Sequence, residues 1–208
     1  MMRIFIFFFI LLVSCSKAES QQATLFGIPA SKISEIKEFV KGKDYNQELA
    51  VFINFKIPSG KYRYFIYDLR NNKIVQKAIV AHGSGSVISG SNALKFSNVE
   101  GSYQSSLGKY AIGSSYIGQF GKTYRLKGLD STNDNAMQRA IVLHSFSSVP
   151  DMESEKPTCL SLGCPMLSVN AFKETAKYID KSEKPIILYT FYSKRIPRGL
   201  PRGESGKV

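Results

Sequence analysis

Apolar positions recur along this chain with two different periods, and the change of period marks its elements. Ile33, Ile36, Phe39 and Val40 fall on one helical face, predicting a short helix capped by Ser31 and ending at Gly42. From Leu49 the pattern becomes that of strands. Leu49–Ile57 and Tyr62–Leu69 flank Pro58-Ser59-Gly60, a turn signal, and so predict a hairpin. Ile74–His82 follows the turn residues Asn71-Asn72. The stretch from Gly83 to Gly121 is rich in Gly and Ser, with only Tyr110–Ile112 and Tyr116–Ile117 reading as short extended pieces. Tyr124–Leu129 and Ala140–Phe146 are stronger strands, and the second is so apolar that a central place in a sheet is expected. A polar loop over 147–161 leads to a helix capped by Ser168 and running to about Lys181, with Phe172, Ala176 and Ile179 on one face. Pro185–Tyr192 closes as a last strand. The whole predicts a mostly-β domain with one or two short helices.

The two ends depart from this pattern. Met1-Met2-Arg3 precedes an apolar run, Ile4–Val13, that is too short for the roughly 20 residues of a membrane span. A short basic start and a short apolar stretch describe an export signal. Leu12-Val13-Ser14-Cys15 resembles a bacterial lipobox, which implies cleavage after residue 14 and acylation of Cys15. A plain secretory signal with an incidental cysteine is the alternative. Ser16, rather than Asp, after that cysteine favours the outer membrane of a Gram-negative envelope. Residues 15–29 then form a polar tether, 30–193 the folded domain, and 194–208 a basic tail rich in Pro and Gly.

Charge narrows the partners. The net charge of +12 falls by one when Arg3 leaves with the signal. A basic surface suits nucleic acid, anionic lipid or an acidic polymer. Export removes nucleic acid, leaving lipid head groups and carboxylate-bearing peptidoglycan. A surface basic for solubility alone is the plainer alternative.

Two segments carry candidate chemistry. Ile141-Val142-Leu143-His144-Ser145 is a strand ending in an imidazole, and Ser161-Leu162-Gly163-Cys164-Pro165 sets a cysteine directly after a glycine, between a loop and a helix start. A thiol near a helix N-terminus ionises more readily, and a neighbouring imidazole can take its proton. Gly163 permits close backbone approach, so N–H groups around Cys164 can face a developing oxyanion. Against this stand a small buried hydrophobe and a Cys159–Cys164 disulfide, since the two cysteines lie five apart in an exported chain. The two His and two Cys show no close ligand spacing, so neither a metal nor another cofactor is expected.

The pair His144-Ser145, followed sixteen residues after Ser145 by Ser161-x-Gly163-Cys164, resembles the signature of the YkuD-type L,D-transpeptidase catalytic domain. His82-Gly83-Ser84-Gly85-Ser86, Phe96-Ser97-Asn98, Ser105-Ser106-Leu107-Gly108, Arg125 to Asp130 and Gly163-Cys164-Pro165 are similar to its murein branch, in order, over about residues 50–192. The resemblance implies a β-sandwich or barrel-like domain. It makes Cys164 the nucleophile and His144 the general base, with the Ser145 carbonyl orienting the imidazole. Gly163 and Cys164 would supply the oxyanion hole. His82, Arg125, Arg139 and Ser161 are the expected substrate contacts, with Lys127 beside Arg125; solvated charge is the plainer reading of any one of these cations. The chain departs from the commoner pattern at Leu162, where many members carry a second His, and at Pro165-Met166. His82 either supplies that imidazole or only ends a strand.

The implied reaction is acyl transfer on a peptidoglycan stem. Cys164 forms a thioester as the terminal D-alanine leaves, and an amine then gives a cross-link. The alternatives are a thiol hydrolase cutting the same bonds, in which water resolves the thioester, and an inactive peptidoglycan-binding lipoprotein.

Overall fold

The computed structural model describes residues 27–193; the export signal, Cys15 and the 194–208 tail lie outside the described residues. Helix α1 spans Ala30–Val40 and α2 Val169–Asp180. Between and after them run eight strands: β1 Leu49–Asn54, β2 Tyr64–Asp68, β3 Lys73–Ala78, β4 Gly108–Gly118, β5 Gly121–Gly128, β6 Val142–Ser145, β7 Met166–Leu167 and β8 Ile187–Phe191. They form one sheet in the order β3-β2-β1-β8-β4-β5-β6-β7. Its two ends nearly meet. Val80, just past β3, bridges Leu167 of β7, and the Ala81 N–H donates to Met166 O at 2.9 Å. The result is a mostly-β, barrel-like sheet with two short helices, as the sequence patterns led one to expect.

Alternation along β1 explains where the helices go. Val51 and Ile53 point inward, joining Tyr64, Ile66, Leu126, Leu143, Leu167 and Leu188 in the barrel interior. Ala50 and Phe52 point outward with Phe65, Tyr67 and Ile187, and α1 covers them with Ile33, Ile36 and Val40. A strand apolar on both faces therefore has an interior and a helix to bury them, and β8, buried at all five positions, is the central case. A hydrogen bond and an ion pair pin α1 in place: Tyr189 donates to Glu35 at 2.8 Å, and Lys109 of β4, itself paired with Asp130 at 3.0 Å, reaches Glu35 at 3.4 Å. The chain is held to this body from its first described residues, since Ile28 is buried and Gly27 O accepts from the Asn54 side chain at 2.8 Å.

Three local expectations change and one holds. Ser31 is not a cap, because α1 begins at Ala30 after Pro29, which presets φ for a helix start. Ser168 does cap α2, its Oγ accepting from Ala171 N–H at 3.1 Å. The two extended pieces within 110–117 are one strand, β4, whose register slips between Ile112 and Ser115. That irregularity at Gly113-Ser114 interrupts the apolar pattern without ending the pairing. Finally, β6 is not central but next to the edge. Its outer face is covered by the loop before β7 and by an aromatic ring from the β4–β5 turn, so it too needs apolar residues on both sides.

Candidate active site

The third residue of β6 is His144, paired with Thr123 of β5 and Met166 of β7. Ile141 and Leu143 point into the core, so alternation turns Val142 and His144 outward. The imidazole Nδ1 lies 3.0 Å from the Ser145 carbonyl oxygen. A carbonyl only accepts, so Nδ1 carries the hydrogen and Nε2 presents a lone pair. Phe120, in the β4–β5 turn, stacks on the ring at 4.5 Å between centroids and 18° between planes. Phe146 meets Phe120 edge-on at 5.8 Å. Burial under this cover pushes the His144 pKa below its ordinary value, against the opposing pull of the Ser145 bond. A groove of about 330 Å³ runs from Phe120 and Ser145 along the first turns of α2.

Cys164 comes to β6 on the chain that becomes β7. Its Sγ accepts from the Val142 N–H at 3.4 Å and donates to the Ala140 carbonyl at 3.7 Å. Ala140 is held at φ +52°, the left-handed region that non-glycine residues seldom adopt. That conformation ends the preceding turn and precedes the strand that the sequence pattern started at residue 140. Burial pushes the thiol upward, more than the Val142 N–H and the Arg139 guanidinium pull it down. The resting group is a thiol. Helix α2 does not activate it, since β7 and the Ser168 cap stand between Cys164 and the first helical turn.

Serines and two glycines build the floor. Gly163 sits at φ +122°, and a Cβ there would lie 3.1 Å from both Gln104 O and Ile141 Cδ1. A Cβ on Gly83 would lie 2.1 Å from Tyr103 O and 2.9 Å from Gly163 Cα, so the two backbones meet only because both residues lack one. Ser105 Oγ donates to Gly163 O at 3.3 Å and accepts from Gly83 N–H at 3.0 Å, while Ser86 Oγ accepts from Ser105 N–H at 2.9 Å. The His82–Ser86 motif is thus a support for the cysteine loop. Ser161 belongs to it: its backbone bonds His82 O and Ser84 N, and its Oγ accepts from Gly163 N–H at 3.1 Å. Of the two expected oxyanion donors, the Gly163 N–H is therefore engaged. The Cys164 N–H has no acceptor among the described residues.

The other expected contacts divide. Arg125 stands on the outer face of β5 directly across from Val142, with its guanidinium 4.1 Å from the Tyr116 ring centre. It shares a face with His144. Lys127 is two residues further along that strand and exposed. Arg139 is committed to the 97–106 loop, donating to Ser97 O at 2.8 Å, Gln104 O at 2.6 Å and the hydroxyl of Ser106. Its charge acts on Cys164, but few of its N–H groups are left for a ligand. His82 turns away from the cysteine side chain: Arg63 Nη2 meets its Nδ1 at 2.8 Å and Phe55 packs on its ring. Burial and the Arg63 charge push its pKa down to about 4. Cys159 and Cys164 are both free, and they pack in different clusters, Cys159 with Ile79 and Met166, so the disulfide alternative is not formed. Among the described residues no three His, Cys, Asp or Glu side chains gather as a metal site.

Phe120, Arg63 and Ala140 were not singled out by sequence. Phe120 had one usable signal, an aromatic residue held between Gly118 and Gly121 at a tight turn. Arg63 and Ala140 had none, because long-range contacts alone give them their places.

A model of the L,D-transpeptidase catalytic domain matches residues 20–189. No curated protein is matched. Among solved structures, the helical cell shape determining protein Pgp2 from Campylobacter jejuni is 15% identical, with 78% of this chain and 56% of that one covered and a TM-score of 0.43. An L,D-transpeptidase from Mycobacterium smegmatis is 10% identical, with coverage of 69% and 58% and a TM-score of 0.39. The chain spans little more than half the length of such solved chains. The family match takes in both halves of the site, the strand that ends at His144-Ser145 and the glycine-cysteine loop: this chain belongs to the L,D-transpeptidase catalytic domain family.

Proposed function

We propose that the protein carries out cysteine-dependent acyl transfer on peptidoglycan stem peptides. The observation that carries this reading is the convergence on β6 of a free, half-buried Cys164 thiol and an imidazole whose Nδ1 is fixed by the Ser145 carbonyl. With Nδ1 so occupied, Nε2 is a base of defined direction. As Sγ attacks the carbonyl of the bond to the terminal D-alanine, its proton passes from the thiol to Nε2, and the oxyanion is met by the Cys164 N–H. Collapse breaks the amide bond, the imidazolium protonates the leaving D-alanine, and a thioester remains. An acceptor amine gives up a proton to Nε2 as it attacks, which forms the cross-link and restores the thiol. Water in place of the amine gives a shortened stem.

The test uses purified sacculi incubated with the wild-type protein and with Cys164→Ala, followed by separation of the muropeptides. New cross-linked dimers with the wild type alone support transpeptidation. Shortened stems alone assign a thiol hydrolase. Identical digests for both proteins, with sacculi still bound, overturn acyl transfer and leave a binding lipoprotein.

The setting belongs to the same proposal: residues 1–14 export the chain, Cys15 carries a lipid, and residues 15–29 tether the domain at the periplasmic side, on the outer membrane by the Ser16 argument. The basic 194–208 tail adds attraction to anionic surfaces. Recovery of a Cys15→Ala variant in the membrane fraction would overturn the anchor.

A further inference from the structure

A cleft of about 750 Å³ opens between the β1–β2 hairpin and the loops around Val87–Leu94 and Ser154–Leu160. Phe55, Ile57, Leu94 and Leu160 make its walls largely apolar. Two nitrogen-rich side chains also line it, Arg63 at 1% and His82 at 5% exposure. Arg63 spends its N–H groups on neutral acceptors: Nε and Nη2 on Val80 O at 2.9 and 2.7 Å, Nη1 on Ile57 O at 3.3 Å, and Nη2 on His82 Nδ1 at 2.8 Å. No carboxylate among the described residues pairs with it. A guanidinium only donates, so Nδ1 of His82 accepts and the ring hydrogen sits on Nε2. That Nε2 is buried and has no partner. A buried cation without an anion and a buried donor without an acceptor are both costly, and they occur here side by side. Lys56 and Lys61 add positive charge at the rim, where the carboxylate of Glu155 is drawn to Lys61 at 2.6 Å.

We propose that this cleft recognises a carboxylate-bearing peptide, whose carboxylate accepts from Nε2 of His82 beside the charge of Arg63. One donor and one mostly satisfied guanidinium suit a monoanion better than a phosphate dianion, and the apolar walls suit the rest of a peptide. His82 lines the cleft while its Nε2 is buried, so seating the carboxylate requires a displacement on the scale of a side chain. The cleft shares a wall with the nucleophile loop: His82 lines it, His82 O accepts from Ser161 N–H at 2.9 Å, and the next residue, Gly83, packs on Gly163. Resting on the acyl-transfer reading, the peptide held here is the acceptor stem.

The experiment titrates the full chain carrying Cys164→Ala, which cannot turn over, with N-acetyl-L-lysyl-D-alanine and with its C-terminal amide, by calorimetry. The acid is expected to bind about tenfold or more tightly than the amide. His82→Phe, which keeps a ring and removes the Nε2 donor, erases that difference. Leu160→Trp, at a half-exposed rim position that leaves the buried pair intact, weakens binding of the acid by a similar factor. Equal binding of acid and amide, indifference to both substitutions, or displacement by inorganic phosphate at the peptide's own concentration each overturn the proposal. Mass measurement of wild-type protein incubated with sacculi-derived stems separates the two readings. A cleft that passes these tests on a protein that forms no thioester stands while acyl transfer falls, and a thioester without acid selectivity gives the reverse.

Discussion

At Cys164 and His144 burial acts on both partners of the proposed proton transfer. It raises the thiol and lowers the imidazole, so near neutral pH both are uncharged and the proton moves only as the carbon–sulfur bond forms. The sign of the pH dependence follows. The base works when neutral, and its folded pKa lies below the ordinary 6.5, so kcat/KM on a stem peptide is expected to climb with pH through a point below 6.5 and to be level by neutrality. Alkylation of Cys164 in the free protein is expected to keep accelerating beyond pH 9, the ordinary thiol value. An acid limb centred at or above 6.5 in the pH–rate profile rules this account out. A preformed thiolate–imidazolium pair would instead alkylate fast and almost independently of pH from about 6 upward.

Among the elements, the β4–β5 hairpin does the most for the site, with its strands rooted in the core and its turn in solvent. Its long strands carry Phe120 out to the turn and back over His144, where the ring is 44% exposed on one side and stacked on the other. Phe120→Ala removes the cover from the imidazole. Its pKa is then expected to rise toward the ordinary value, moving the acid limb upward, and kcat/KM to fall by up to about tenfold, the scale of one aromatic pair. A largely exposed turn residue contributes little to folding, so the urea midpoint should stay nearly fixed. A large loss of stability with an unmoved pH profile would show that the ring serves the fold instead of the base.

For the whole molecule, closure of the sheet is what brings the two candidate catalytic segments together. β7 has only two residues, yet it pairs with β6 on one side and with Val80 and Ala81 on the other. Leu167 is fully buried at that seam. Leu167→Ala is expected to cost about 2–5 kcal/mol by urea denaturation, as for other fully buried leucines. Leu162→Ala, at a side chain 69% exposed beside the same cysteine, should stay within about 0.5 kcal/mol of wild type. Equal effects of the two substitutions would mean that the seam carries no special share of the stability.

Period and punctuation alone determined much of this protein. Two apolar runs around Pro58-Ser59-Gly60 set the β1–β2 hairpin, the 3.6-residue spacing of Phe172, Ala176 and Ile179 with Ser168 before it set α2, and a glycine-bound cysteine and a strand-end histidine named the two candidate reacting groups. Those signals are local, carried by residues within a turn or two of one another. Tertiary structure alone decided the rest. An apolar run such as 140–146 reads as central because it is covered on both faces, and no sequence pattern says whether the cover is a sheet or, as here, a cysteine loop and one phenylalanine. The same holds for charge. Arg139 and His82 looked alike as polar groups near the chemistry, but one is clamped to carbonyls of the 97–106 loop and the other faces a cleft beside a buried Arg63, because burial and hydrogen-bond partners are properties of the closed barrel rather than of the chain.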